Sequence, residues 1–78
     1  MYYIILCEIA TGIVLELDGK TRFVETDADN LPHISFENLK KAEERADMLV
    51  LENQDLEIAI YDENWKFIKR VTKKRDSV

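Results

Sequence analysis

This sequence predicts a small α+β domain, with a mainly antiparallel sheet and one helix packed on one face. The evidence is a β-branched and aromatic opening run, "YYIILC", one helical stretch ending near Asn53, and two apolar runs of strand length after it. The expected element order is β-β-β-α-β-β.

In the first strand, Tyr2, Ile4 and Leu6 alternate with Tyr3, Ile5 and Cys7. Both faces are therefore apolar, which is the signature of a central strand covered on two sides. Ala10, Thr11 and Gly12 turn the chain, and Ile13 to Leu17 reads as a second strand with Ile13, Leu15 and Leu17 on its apolar side. Asp18-Gly19 is a strong hairpin signal leading to a third strand over residues 21–26.

The segment "DADNLPH" is a loop by composition. Ser35 is the expected helix N-cap, with Glu37 in an acidic first turn and paired with Lys41 four residues on. Leu39, Ala42, Ala46, Leu49 and Val50 then recur at helical spacing. Two strands follow, Leu56 to Tyr61 and residues 66–72, joined by "DENW". Hairpins of this kind put Gly where Trp65 stands, because that residue takes positive φ. Asn64 is the expected left-handed residue, with Trp65 opening the last strand and packing across from Tyr61 or closing one end of the core. Phe67 and Val71 share one face of that strand and read as core.

Seventy-eight residues make one domain, expected over residues 1–72 with a basic C-terminal tail at 73–78. A chain of this size buries only about 60% of its unfolded surface, so outside help with stability is expected. A lone cysteine, Cys7, leaves self-association as the available route. A five-stranded sheet is roughly 20 to 24 Å wide, whereas one helix covers about 10 Å. A bare apolar sheet face, and hence a homodimer, is expected unless "DADNLPHISF" folds across it.

Function classes narrow by inventory. One His, one Cys and two Ser provide no nucleophile with a base and an orienting group, so no enzymatic role is expected. Asp27, Asp29, Asn30 and His33 begin like a calcium loop, but Pro32 and Asn38 stand where that loop needs Gly and Glu. No glycine-rich phosphate loop is present. Neither metal nor cofactor is expected. The opening run lacks a basic flank and is cut short by Glu8, so no signal peptide, membrane span or membrane partner is expected, and a cytoplasmic location is.

Charge is divided along the chain. Residues 1–65 carry five basic against fifteen acidic side chains, whereas residues 66–78 carry six basic against one acidic. Such blocks bear on partners rather than on fold. The leading expectation is a small interaction or regulatory protein that binds another protein or itself, with Tyr2, Tyr3, Tyr61, Trp65, Lys69 and Arg70 as contact residues. The alternative is a nucleic-acid binder using Lys66, Lys69, Arg70, Lys73, Lys74 and Arg75, with aromatic residues interleaved. Lysine and arginine on an outer strand also protect it against unwanted pairing.

Overall fold

The computed structural model describes residues 1–23 and 31–73. Four antiparallel strands form one open sheet: β1 (Tyr2–Glu8), β2 (Ile34–Phe36), β3 (Leu56–Tyr61) and β4 (Phe67–Thr72), in the order β2-β1-β3-β4. A single helix, α1 (Leu39–Glu52), crosses one face. The α+β class and the antiparallel sheet agree with the sequence reading, whereas the strand inventory differs from it.

The central ladder pairs Tyr3 with Tyr61, Ile4 with Ile60, Ile5 with Ala59 and Leu6 with Ile58. Strand alternation then sends Ile4, Leu6, Ile58 and Ile60 to the helix side, where all four are fully buried. They meet Ala42, Ala46 and Val50 of α1, with Leu15, Leu56 and Val71 completing the cluster. Ala42 and Ala46, both fully buried, form the middle of the helix side of this contact.

The second edge of β1 is shared by two short segments. Its N-terminal half pairs with β2 through Tyr2–Phe36, Tyr3–Ser35 and Ile4–Ile34. Its other end meets Val14 in a single bridge at Cys7, and Leu15 bridges Arg22. The expected second and third strands therefore shrink to isolated bridges, and residues 24–26 of the third lie outside the described residues. The reason is competition for one edge: Ile34 and Phe36 pack against the core only if that segment is extended beside Tyr2 and Ile4. The signal was legible as the apolar-polar-apolar alternation of Ile34, Ser35 and Phe36.

Strand pairing also moves the helix start. Ser35 belongs to β2, and Asn38 is the N-cap, its Oδ1 accepting the Lys41 N–H at 2.9 Å. Glu37 then precedes the helix, so it is neither in the first turn nor an intrahelical partner of Lys41. Asn53 closes the helix by donating its N–H to the Leu49 carbonyl at 3.0 Å.

Two turns share one construction. At 16–19 the Gly19 N–H donates to the Glu16 carbonyl at 3.0 Å, and Gly19 has φ +73°. At 62–65 the Trp65 N–H donates to the Asp62 carbonyl at 2.9 Å, and Trp65 has φ +60°. Trp65 itself is thus the left-handed residue of the turn, contrary to the expectation for Asn64, and β4 begins at Phe67. A register shift beside Ile60 and Tyr61 puts Phe67 opposite Tyr61, while Lys69 faces Ile60. That bulge breaks the parity on which Phe67 reads as core, so Phe67 lies exposed on the helix-free side.

Three side-chain hydrogen bonds hold the Asp18 turn: Oδ1 accepts the N–H groups of Lys20 and Thr21 at 2.8 and 2.9 Å, and Oδ2 accepts the Thr21 hydroxyl at 2.7 Å. The Thr21 and Lys20 N–H groups, in that order, lower the Asp18 carboxyl from 3.8 to about 2. Glu8 is also held below its ordinary value, first by the Thr11 hydroxyl and then by Arg22 Nη2.

Asn38→Ala should lower stability by about 1 kcal/mol, a shift of roughly 4–8 °C in Tm, while Ser35→Ala moves Tm by much less. Thermal melts of both variants check where the cap lies. Because the folded Asp18 carboxyl titrates below its unfolded value, its contribution is complete above about pH 4 and is lost as the pH falls through about 2. The Tm gap between wild type and Asp18→Ala should therefore narrow over that window, as melts at stepped pH would show.

Candidate protein-binding face

The helix-free face of the sheet is built from the alternate residues of the same strands. Tyr3, Ile5 and Cys7 of β1 stand beside Tyr61, Ala59 and Glu57 of β3, and Arg70 stands opposite Ala59. Ile5 and Ala59 retain only 3% and 6% exposure at the centre of this face. Five rings gather toward its β2 and hairpin end. Trp65 stacks on Tyr3 with centroids 4.4 Å apart and planes within 7°. His33 stands edge-on to both, at 5.3 Å from Tyr3 and 5.1 Å from Trp65. Tyr61 joins Trp65 at 5.7 Å and Phe67 at 5.9 Å.

The hairpin loop positions Trp65 for that stack. Asp62 Oδ1 accepts the N–H groups of Asn64 and Lys66 at 2.8 and 3.0 Å, and the Asp62 N–H donates to the Lys66 carbonyl at 3.0 Å. The chain is thereby forced into a left-handed step at Trp65, which costs roughly 1–2 kcal/mol for a residue with a Cβ. Removing on the order of 100 Å² of indole from water contributes about 2.5 kcal/mol, and the ring pair adds about 0.5–1.5 kcal/mol. Packing therefore outweighs the strain, and a glycine is not required.

The aromatic group ends in an exposed cation. Trp65 and Phe67 are 45% and 52% exposed, and the Arg70 guanidinium lies 5.4 Å from the Phe67 centroid. Arg70 Nε also bonds Glu57 on the same face. Burial, and then Glu57, push the Cys7 thiol above its ordinary value, with Arg70 opposing them.

Of the six expected contact residues, Tyr3, Tyr61, Trp65 and Arg70 come together here. Tyr2 and Lys69 do not, because strand parity sends both to the helix side. Tyr2 packs against the core there, and Lys69 Nζ bonds Glu43 of α1 at 3.0 Å. His33 and Phe67 are members that the sequence reading missed. His33 is placed by its proximity to β2, with Nδ1 2.8 Å from the Leu31 carbonyl, and Phe67 by the bulge. Of the basic set, Lys66 and Lys73 are exposed, whereas Lys69 and Arg70 are ion-paired. Lys74 and Arg75 lie outside the described residues.

Of the calcium-like group, Asp27, Asp29 and Asn30 also lie outside the described residues, while His33 belongs to the ring cluster. Among the described residues no three His, Cys, Asp or Glu side chains gather as a metal would require, and no helix is long and apolar enough to cross a membrane.

At Trp65, glycine and alanine should separate strain from packing. Both substitutions lose the stack on Tyr3, but Ala retains the left-handed penalty, so Trp65→Ala should be less stable than Trp65→Gly by about 1 kcal/mol. Urea unfolding followed by far-UV circular dichroism measures that difference. Comparison of the chain with protein-family models, with curated proteins and with solved structures returned no match.

Proposed function

We propose that this chain is a non-enzymatic interaction protein that binds another protein, or a second copy of itself, through the helix-free sheet face and the C-terminal hairpin. The observation that carries this reading is Trp65, held at φ +60° against Tyr3 and still 45% exposed. A Trp-Tyr-Arg group on a sheet face is the residue chemistry that dominates protein interfaces, because large rings order at low entropic cost. The Arg70–Glu57 pair supplies both a donor and an acceptor beside the rings.

The nucleic-acid alternative draws less support from the same geometry. Tyr3 already has one ring face against Trp65, which removes a platform for a base. Two of the four described cations in its set have their charge met by Glu43 and Glu57.

Photo-reactive benzoylphenylalanine in place of Phe67 tests the reading directly in cells. An adduct with another protein, or with a second copy, should form at this position and not at Glu44 on the exposed side of α1. Equal adducts from both positions, or none from Phe67, would overturn the assignment of this face. Arg70→Ser should reduce the Phe67 adduct several-fold while shifting stability by less than about 1 kcal/mol, since its side chain is 61% exposed.

A further inference from the structure

The sheet has two outer edges, and they differ. β2 spans three residues and follows Pro32, so it offers little to pair with. β4 spans six residues with no proline, and among the described residues no strand pairs with its outer side. The bulge opposite Ile60 limits regular pairing to Lys69 through Thr72. Over that length the outward backbone N–H and C=O groups, in strand geometry, have no strand partner among the described residues. Exposed apolar side chains, Phe67 and Ile68, stand at its start.

Charge selects what could join this edge. Lys66, Lys69, Arg70 and Lys73 lie along it with no acidic residue between positions 66 and 73. Glu43 of α1 meets Lys69 on the helix side, and Glu57 of the neighbouring β3 meets Arg70 on the helix-free side. Lys66 and Lys73, near its two ends, are exposed and have no ion pair among the described residues. A second copy of β4 laid antiparallel on this edge would set lysine and arginine against themselves, which is destabilising for directly opposed pairs. An acidic strand meets the opposite situation, so the feature that excludes self-pairing favours it.

We infer that the free edge of β4 takes an extended acidic segment of a partner protein as a fifth strand of the sheet. Backbone hydrogen bonds to Lys69–Thr72 supply the register, and carboxylates near the two ends of the segment meet Lys66 and Lys73. This rests on the protein-binding reading above and makes its partner specific: an extended, acidic chain rather than a helix or a folded basic surface.

The test uses the full chain, labelled for amide NMR, and two capped peptides of about eight residues with alternating valine and threonine. One peptide carries glutamate at both ends and the other lysine. The glutamate peptide should shift the amides of β4 and slow their exchange by on the order of tenfold at saturation, and the effect should weaken with added salt. The lysine peptide should do neither, and the double variant K66E/K73E should exchange the two preferences. Equal binding of both peptides, or of neither, overturns the inference. So do shifts confined to Tyr3 and Trp65, β4 protection by self-association without peptide, or the same protection from an oligothymidylate. Any of these with the Phe67 adduct intact leaves the protein-binding reading standing, whereas loss of that adduct with β4 protection intact removes the sheet face and keeps the edge.

Discussion

The antiparallel ladder between Tyr3–Glu8 and Leu56–Tyr61 is the constraint from which the rest of the structure follows. It joins two apolar strands at the centre of the sheet, and each carries hydrophobic residues on both faces. One helix can bury only one of those faces. Ile4, Leu6, Ile58 and Ile60 take the helix, and Ile5, Ala59, Tyr3 and Tyr61 are left for the other side. The ring cluster is how the chain covers that second face in part without a second helix. Trp65 folds over Tyr3, and His33 closes against their edges.

The two left-handed turns show how local preference and packing trade against each other. Gly19 and Trp65 occupy equivalent positions after equivalent hydrogen-bonded turns. At Gly19 the backbone itself is buried beside Leu6 and Leu56, and no side chain is needed there. At Trp65 the same backbone step aims an indole onto an exposed sheet face, where the burial it achieves exceeds the steric penalty. The strain is thus stored at the tip of a hairpin, beside the exposed ring cluster.

The electrostatic layout follows from the same topology. Strand alternation along β4 divides its cations, sending Lys69 to Glu43 beneath the helix and Arg70 to Glu57 on the opposite face. A block that is uniformly basic in sequence becomes two ion-paired positions between two that have no ion pair among the described residues. Lysine and arginine on an outer strand disfavour pairing between like strands.

Period-two and period-three-six patterns in the sequence determined the α+β class, the central strand, the core residues Leu56, Ile58 and Ile60, and the helix body, because these depend on which residues must leave water. Turn chemistry placed the hairpin at 62–65 but assigned the positive φ to Asn64 and put Trp65 in the last strand, whereas Trp65 is the left-handed residue. Only the tertiary structure decided that Ile34–Phe36 rather than Ile13–Leu17 flanks Tyr2, since two segments compete for one edge and packing against the helix chooses between them. It also decided that Phe67 joins Tyr61, because a single-residue bulge inverts strand parity and the sequence carries no mark of it. The ring cluster unites residues 3, 33, 61, 65 and 67 from β1, the approach to β2 and the β3–β4 hairpin. Their proximity is a property of strand order and register, which hydrophobic periodicity specifies one strand at a time and never between strands.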